Sequence, residues 1–404
     1  MSLFYPRKMI RRLPGMVIKD VPLPDPEIIQ GFGKRSSVGV ICKKRGFHSV
    51  LLVTDRTLFG MKFHECVVQS IEAEGISCKV FSNIASEPDE NIVREGREAA
   101  KECNADCIVA LGGGSVMDSS KIIAASSTYY MQPMAYYLQK FVFSKTLPMI
   151  TIPSTAGTGA ELTVGAIVKN NSGVKKSSVI VGLQITDVIL DSELTINAPE
   201  KVTISCAIDA LSHGLEGCLA DVKVNRADME KSLQCVKLVM ENLPELIKNP
   251  RDIDRRQNMA LAANYGGNAI NKQLAGYVHA FAHTIGGFYH ISHGEAIAYC
   301  LFPIINCQRN ICADKMYELS CYCGFAKKGD DMGKAINRFL QELRTLLINC
   351  GFGDGLRCLE RKDYPKLIED IDSDSINYSP SRTFTDKEIV LLLNQIRKPL
   401  RGVA

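Results

Sequence analysis

Four of the seven histidines in this 404-residue chain lie within one short segment, AGYVHAFAHTIGGFYHISHGEA. His279 and His283 are four residues apart, which places both imidazoles on one face of a helix. The segment AIDALSHGLEG places Asp209 and His213 at the same spacing. One carboxylate and several neutral imidazoles, without a thiolate, suit Fe²⁺, Zn²⁺, Co²⁺ or Mn²⁺. The two segments therefore predict a divalent-metal site with an open position for water or substrate.

Spacing alone selects those four residues as the ligands. The Gly286-Gly287 pair is expected to interrupt the helix, and a turn there can bring His293, just before a third helix, back toward His279. A single histidine on a helix is more often a core or surface residue than a ligand. Five of seven histidines in two short segments shift that balance toward a metal site.

A glycine-rich turn follows a buried strand in the segment DCIVALGGGSVMDSSKIIAAS. The residues Gly112-Gly113-Gly114-Ser115 end the strand, and a helix is expected from about Val116, with Asp118 in its first turn. Glycines allow close approach of a ligand, and the N–H groups and dipole at a helix start attract an anion. The alternative is a tight connection without a ligand, because the spacing is not the usual G-x-G-x-x-G fingerprint.

Two further features favour a dinucleotide at this turn. The segment TIPSTAGTGAELT also follows a strand and supplies the hydroxyls of Ser154, Thr155 and Thr158. Asp55 ends the strand SVLLVTD, where its carboxylate can accept from a ribose hydroxyl and would repel a 2′-phosphate. The alternative for Asp55 is an N-cap of the following helix. The pattern predicts NAD in preference to NADP.

The elements that must position these residues differ between the two halves of the chain. Up to about residue 195, short β-branched runs alternate with helical patterns, which predicts a Rossmann-like α/β domain with a mainly parallel sheet. The strand candidates are SVLLVTD, SCKVF, DCIVALGGG, PMITIPS and VILDSEL. After Pro199 only helical periodicity remains. We expect a dinucleotide-binding domain over 1–198 and an all-helical metal-binding domain over 199–404, with a ligand cleft between them.

The composition restricts the function classes. Hydrophobic residues make up 46% and charged residues 23% of the chain, and the net charge of +4 is not concentrated in a run, so neither disorder nor nucleic-acid binding is expected. No segment resembles a signal peptide or reaches the roughly 20 apolar residues of a membrane span. The 15 cysteines include no Cys-x-x-Cys pair, which favours reduced thiols. These features predict a cytoplasmic protein without a membrane partner.

Four segments in this order, GGGSVMDSSK, TIPSTAGTGAE, IDALSHGLEG and VHAFAHTIGGFYHISHG, resemble the iron-containing (group III) alcohol dehydrogenases. The resemblance runs from about Gly31 to the C-terminal helices and implies a dehydroquinate-synthase-like two-domain architecture. It also implies a metal held by one aspartate and three histidines, Fe²⁺ first and Zn²⁺ or another divalent ion second. Carried over by motif, the ligands are Asp209, His213, His279 and His293. The remaining imidazole, His283, resembles the residue proposed in the family to relay a proton.

The same resemblance implies a set of NAD contacts. They fall on Asp55, Gly113, Gly114, Ser115, Asp118, Ser154, Thr155, Thr158 and Lys176. The lysine pair at 175 and 176 leaves the register of the last contact open. Two positions depart from the family pattern, because His290 and Glu87 stand where asparagines are common. The resemblance further implies a homodimer or larger oligomer.

The activity implied is hydride transfer between a primary alcohol or its aldehyde and NAD(H), with a divalent ion polarising the substrate oxygen. His283 would pass the proton to solvent or to the cofactor ribose. Three alternatives remain at this point: a glycerol-dehydrogenase-like polyol oxidoreductase, a metal-free reductase of the same superfamily, and a non-enzymatic dinucleotide-binding protein. The intact ligand set argues against the last two.

Overall fold

A computed structural model describes residues 23–85, 87–375, 378 and 380–400. The described chain forms two compact units. One contains the residues up to Ala198 together with Arg251–Gly267, and the other contains Pro199–Pro250 together with the residues from Asn268 onward. Residues 251–267, which lie after Pro199 in the half predicted to be all-helical, therefore belong to the first unit.

The first unit is built on a six-stranded sheet in which every pairing is parallel. The strand order is β1-β9-β6-β4-β2-β3. The strands are β1 Glu27–Gln30, β2 Ser49–Asp55, β3 Ser77–Ile84, β4 Cys107–Gly112, β6 Met149–Pro153 and β9 Ile185–Leu190. Strands β4 and β6 are buried at every position, which is why they appear in the sequence as continuous apolar runs.

Helices cover both faces of this sheet. Alternate residues of β2 belong to two different core clusters: Leu51 and Val53 to one, Val50 and Leu52 to the other. The helices are α1 Val38–Arg45, α2 Arg56–Gly60, α3 Glu65–Ala73, α4 Glu90–Glu102, α5 Gly114–Ser126 and α6 Met134–Tyr137. This arrangement confirms the predicted Rossmann-like α/β fold.

A second, three-stranded sheet in this unit was not predicted. Its order is β5-β8-β7, and β8 pairs parallel with β5 and antiparallel with β7. The strands are β5 Phe141–Phe143, β7 Gly165–Lys169 and β8 Lys175–Val181. Strands β7 and β8 carry lysines, β7 is buried only at alternate positions, and β5 has three residues, so none of the three shows the long apolar run that marks the main sheet.

The last predicted strand, VILDSEL, extends too far. Strand β9 ends at Leu190, and Ser192–Thr195 form a 3₁₀ helix. The change occurs at Asp191, whose side chain accepts a hydrogen bond from the Glu193 N–H at 3.0 Å. A side-chain cap of this kind starts a helical turn where a strand pattern would continue.

The second unit contains helices and their connecting segments, and no strand among its described residues. Its helices are α7 Glu200–Leu219, α8 Arg226–Lys248, the end of α9 Ile253–Gln273, α10 Tyr277–Tyr289, α11 His293–Cys307, α12 Ala313–Tyr322, α13 Met332–Leu347, α14 Tyr364–Ser375 and α15 Asp386–Ile396. Helix α7 packs against α8 and α11, and α10 packs against α11 and α14. No helix in the described part of the chain is long and apolar enough to cross a membrane.

Candidate functional site

Helix α7 carries polar residues into the core of the helical unit. Every residue from Ala207 to Leu219 is buried, including Asp209, His213 and Glu216. These three residues share one face of the helix because they are four and three residues apart. Buried charged groups are stable only when they are paired or bind a metal, so this face must meet specific partners.

Three imidazole nitrogens meet one oxygen of Asp209. The distance from Asp209 Oδ1 is 3.6 Å to His213 Nε2, 3.7 Å to His279 Nε2 and 3.2 Å to His293 Nε2. The four residues come from α7, α10 and the first position of α11. We call Asp209, His213, His279 and His293 the metal cluster.

The donors of this cluster fit a divalent ion. Asp209 Oδ1 and His279 Nε2 are both buried and have no hydrogen-bond partner among the described residues. Ligand atoms of Asp209, His213 and His279 all lie within 4.8 Å of one another. Buried polar atoms are normally hydrogen-bonded, and a cation bound to these atoms would satisfy them together. One carboxylate and three imidazoles also match the ligand preference of Fe²⁺ and Zn²⁺.

Glu216 supports the metal cluster and was missed in the sequence. His279 Nδ1 lies 2.5 Å from Glu216 Oε2, and the Val278 N–H donates to Glu216 Oε1 at 2.7 Å. A proton on Nδ1 leaves the electron pair of Nε2 directed to the cluster. The available signal was position, because Glu216 follows His213 by three residues on the same helix face.

Charges within the cluster set its protonation when no ion is bound. Burial lowers the pKa of His213 to about 4, so this imidazole is neutral at neutral pH. Burial alone would also lower the pKa of His279, but the Glu216 and Asp209 carboxylates outweigh it and raise that pKa to about 10. Burial would raise the pKa of Asp209, yet the surrounding imidazoles hold it well below its usual range. The carboxylate is therefore ionised and able to bind a cation.

His283 does not join Asp209, contrary to the choice made from spacing alone. Its Nδ1 lies 2.8 Å from Tyr378 Oη and 3.3 Å from Asp374 Oδ2. Its ring centroid is 5.1 Å from that of His293, and its side chain is 40% exposed. Partial burial lowers its pKa. The described contacts bring His293 to Asp209, as the family resemblance implied.

The helix break expected at Gly286-Gly287 is absent. Helix α10 continues through both glycines to Tyr289, and the chain turns at His290 in the left-handed region, with φ 56° and ψ 40°. Two glycines cost only about 1 kcal/mol each in a helix, so packing can hold them helical. Asparagine tolerates the left-handed region better than most residues, and here histidine adopts it.

The glycine turn has the geometry of a ligand-binding loop. Strand β4 ends at Gly112, Gly113 is the extended N-cap, and α5 begins at Gly114. A Cβ on Gly112 would lie 2.4 Å from Val116 Cγ2, so protein packing requires that glycine. A Cβ on Gly113 or Gly114 would meet only ordinary contacts, at 3.4 Å and 3.5 Å. The protein itself does not require these two glycines, whereas a closely approaching phosphate would.

The second predicted loop lies beside this turn. The contacts that a Cβ on Gly113 or Gly114 would make are with the side chains of Thr155 and Thr158, and the Ser154 N–H donates to Gly112 O at 2.9 Å. The structure thus brings the glycine-rich turn after β4 next to the hydroxyl-rich loop after β6. The start of α5 at Gly114, together with these hydroxyls, fits a pyrophosphate.

Two other predicted cofactor residues, Asp118 and Asp55, lie on α5 and at the N-cap of α2. Asp118 lies in the second turn of α5, because the helix begins earlier than expected, and its carboxylate accepts from the Ile167 N–H at 3.0 Å and from Lys121 Nζ at 3.1 Å. The buried Lys121 was missed in the sequence. Asp55 caps α2 through Oδ1, which accepts from the Leu58 N–H at 2.9 Å.

Two positions on the second sheet bear on the cofactor contacts. Lys176 is paired in register with Val168, which is buried, so the two residues share one face of the sheet. Glu87 accepts from Lys169 Nζ at 2.5 Å. An asparagine at position 87 could not form this ion pair.

Comparison with known proteins decides the family. The profile described as "Iron-containing alcohol dehydrogenase" matches residues 25–191, and "Fe-containing alcohol dehydrogenase family, C-terminal" matches residues 203–397. The chain belongs to the iron-containing alcohol dehydrogenase family.

Among the relatives of this alcohol dehydrogenase is the NAD-dependent methanol dehydrogenase of Bacillus methanolicus, 33% identical over 67% of this chain and 71% of the relative. The 1,3-propanediol dehydrogenase of Citrobacter freundii is 28% identical over 89% and 94%.

Solved structures agree with this family. A 1,3-propanediol oxidoreductase superposes with a TM-score of 0.85 at 26% identity, over 93% of this chain and 99% of that one. The sulfoacetaldehyde reductase of Bifidobacterium kashiwanohense, solved with NAD⁺, superposes with a TM-score of 0.83 at 25% identity, over 95% and 99%. The expected NAD-dependent, metal-containing alcohol dehydrogenase is confirmed by these matches, which do not favour the glycerol-dehydrogenase-like alternative.

Proposed function

We propose that this alcohol dehydrogenase interconverts a primary alcohol and its aldehyde with NAD(H), at a divalent ion bound to Asp209, His213, His279 and His293. The observation that carries the proposal is the buried Asp209 Oδ1, which lies 3.2 to 3.7 Å from three imidazole nitrogens and has no hydrogen-bond partner among the described residues. When bound, such an ion supplies Lewis-acid polarisation of the substrate oxygen. We propose Fe²⁺ as the native ion, with Zn²⁺ the alternative.

His283 accepts the proton released by the alcohol in this proposal. Its lowered pKa leaves the imidazole neutral near pH 7, so it can take up a proton. Its side chain is 40% exposed, which gives the proton a path to solvent. Glu216 orients His279 through the Nδ1 hydrogen bond and so acts on the metal cluster without touching the substrate.

The cofactor contacts are proposed on the two adjoining loops of the α/β unit. Gly113, Gly114 and Ser115 would hold the pyrophosphate at the start of α5, and the hydroxyls of Ser154, Thr155 and Thr158 and the Lys176 ammonium would donate to the cofactor. Asp55 would accept from the adenosine ribose while it caps α2, which favours NAD over NADP. Asp118, whose carboxylate accepts from the Ile167 N–H of β7 and from Lys121 Nζ of its own helix, would hold the start of α5 against β7.

The location and assembly of the enzyme are also proposals. All fifteen cysteines are free thiols, which suits a reducing compartment such as the cytoplasm. Strand β1 lies at the edge of the main sheet, where a second copy could pair with it in a homodimer. Light scattering coupled to size-exclusion chromatography would measure the assembly.

The test combines elemental analysis with a substrate panel. Protein loaded anaerobically with Fe²⁺ or Zn²⁺ is assayed with primary alcohols, aldehydes and polyols, using NAD(H) and NADP(H). We expect about one ion per chain and NAD-dependent oxidation of primary alcohols. Asp209→Asn should lose both, whereas His48→Ala, which removes an exposed histidine, should lose neither. Inactivity with every ion overturns the proposal, and a preference for polyols or NADP overturns its substrate or cofactor assignment.

A further inference from the structure

Three polar side chains form a closed group beside the metal cluster. Tyr378 Oη lies 2.8 Å from His283 Nδ1 and 3.1 Å from Asp374 Oδ2, and His283 Nδ1 lies 3.3 Å from the same carboxylate oxygen. Helix α10 carries His283, and α14 carries Asp374, with Tyr378 four residues later. The two helices pack against each other, which brings His283 and Asp374 together.

The number of available protons fixes the direction of these hydrogen bonds. A carboxylate only accepts, a phenol donates one proton, and Nδ1 of a neutral imidazole either donates or accepts. If Tyr378 donated to His283, the electron pair of Nδ1 would face the Asp374 carboxylate with no proton between them. If Tyr378 donates to Asp374, Nδ1–H can donate to Tyr378 Oη, and all three short distances become favourable.

We infer that Asp374 and Tyr378 position His283 by holding its imidazole as the Nδ1–H tautomer, so that Nε2 carries the free electron pair. Neither residue belongs to the metal cluster, and both act through His283. The inference rests on the proposed role of His283 as proton acceptor. It deepens that role by naming the nitrogen that takes the proton and the residues that prepare it.

The protonation of the phenol agrees with this direction. Burial, together with the Asp374 carboxylate, raises the pKa of Tyr378 well above its ordinary value, so its O–H proton is retained across the working range of an enzyme. The side chain of Asp374 is 30% exposed, so water reaches the group from one side. A proton taken up at Nε2 would make His283 cationic beside this carboxylate, which stabilises the charge.

The first experiment reads the tautomer directly. Zinc-loaded enzyme with ¹⁵N-labelled histidine is examined by long-range ¹H–¹⁵N NMR, and the His283 signals are assigned by their loss in His283→Gln. We expect a protonated Nδ1 and an unprotonated Nε2 in the wild type. The double variant Tyr378→Phe with Asp374→Asn should move His283 toward the protonated Nε2 form, which free histidine prefers. A wild-type spectrum with protonated Nε2 overturns the inference, and so does a double variant without change.

The second experiment separates positioning from general structural damage. Tyr378→Phe should lower kcat about threefold to tenfold, the effect of one lost hydrogen bond, and leave the KM for NAD and the zinc content unchanged. The matched control is Tyr289→Phe, because Tyr289, which lies on α10 with His283, donates to Asp363 Oδ2 at 2.6 Å and forms no hydrogen bond with a site histidine among the described residues. Equal losses of kcat in the two variants would contradict the inference.

The two experiments also separate this inference from the proposed function. The tautomer is read in the spectrum whether or not the enzyme turns over. An inactive wild type with protonated Nδ1 would overturn the proposed function alone, whereas an active wild type with protonated Nε2 would overturn the positioning role alone. If the double variant does not fold, the wild-type spectrum and the single Tyr378→Phe variant still decide the question.

Discussion

At Asp209, a buried carboxylate oxygen lies beside three imidazole nitrogens, and this local arrangement is costly without a cation. Oδ1 has no hydrogen-bond partner among the described residues, and His279 Nε2 has none either. Leaving such groups unsatisfied costs about 1–3 kcal/mol each, and the cationic His279 offsets part of this cost when no ion is bound. The folded helical unit therefore carries a local free-energy cost, and a divalent ion bound to these ligands would remove it. Such local costs are common at functional sites.

Glu216→Gln should weaken metal binding without removing a ligand. The amide can still contact His279 Nδ1 but no longer supplies the negative charge that makes the imidazole a better donor. We expect zinc affinity to fall about tenfold to 100-fold, measured by competition with a chelator. Glu369→Gln, which changes an exposed glutamate on α14, should bind zinc as the wild type does. Unchanged affinity in Glu216→Gln would show that the contact is structural only.

His283→Ala should slow turnover while the metal stays bound. The imidazole lies beside the cluster but contacts Asp374 and Tyr378 rather than Asp209. Removal of a general base commonly costs about 100-fold or more in rate, and less if water replaces it. Elemental analysis and kcat measured on the same sample check this, with His48→Ala as control. Loss of the metal would instead identify His283 as a ligand.

Glu161 should give the stability of the α/β unit a specific pH dependence. Burial raises its pKa, and the Asn264 hydrogen bond and Lys121 oppose this only in part. Because the folded pKa exceeds the unfolded one, the folded state holds the proton more tightly, and the stabilisation present at low pH is lost as pH rises. The difference in unfolding midpoint between Glu161→Gln and the wild type should therefore shift in favour of the variant as pH rises from 4 to 8. A constant difference across that range would contradict the shift.

At the scale of elements, the turn between β4 and α5 combines two kinds of glycine. Gly112 is required because Val116 occupies the space of a Cβ, whereas Gly113 and Gly114 have room for one. Gly113 has φ −83° and ψ −169°, an extended conformation that alanine adopts without strain. The fold therefore explains the first glycine, and the proposed phosphate would explain the next two.

Gly113→Ala should fold normally and lose cofactor affinity. The added methyl group would occupy the space at the start of α5 where a phosphate must approach the backbone. We expect the dissociation constant of NAD to rise about tenfold or more in calorimetry, with little change in unfolding midpoint. Two controls bracket this result: Gly112→Ala should destabilise the protein, and Gly165→Ala, whose Cβ would meet nothing within 4 Å, should change neither property. Unaltered NAD binding in Gly113→Ala would contradict the proposal that this turn binds the phosphates of NAD.

At the scale of the whole molecule, metal binding should stabilise the helical unit. The cluster exists only when α7, α10 and α11 are assembled, so the unfolded chain offers no comparable site. An ion at 100 times its dissociation constant adds about 2.7 kcal/mol to the free energy of unfolding. Chelation should thus lower the unfolding midpoint in calorimetry, and zinc should restore it. The midpoint of Asp209→Asn should change with neither treatment. A wild-type midpoint that changes with neither chelation nor zinc would contradict the proposed metal site.

Features that depend on near neighbours in the chain could be predicted before the fold was known. Strand β2 was predicted at its observed bounds, and the helical periodicity after Pro199 was correct, because an apolar run or a repeated face is a local property. Asp209, His213 and His279 were selected for the same reason, since residues four apart on a helix share a face. His293 was selected as a ligand through the family resemblance, because spacing alone had selected His283.

Contacts between distant segments became visible in the folded chain alone. Glu216 meets His279 across 63 residues, and Asp374 meets His283 across 91, so no local pattern could indicate either pair. Packing likewise places residues 251–267 in the α/β unit. It also forms the sheet of β5, β7 and β8. Which polar groups meet depends on how helices pack, and packing is set by the shapes of buried side chains far apart in the chain.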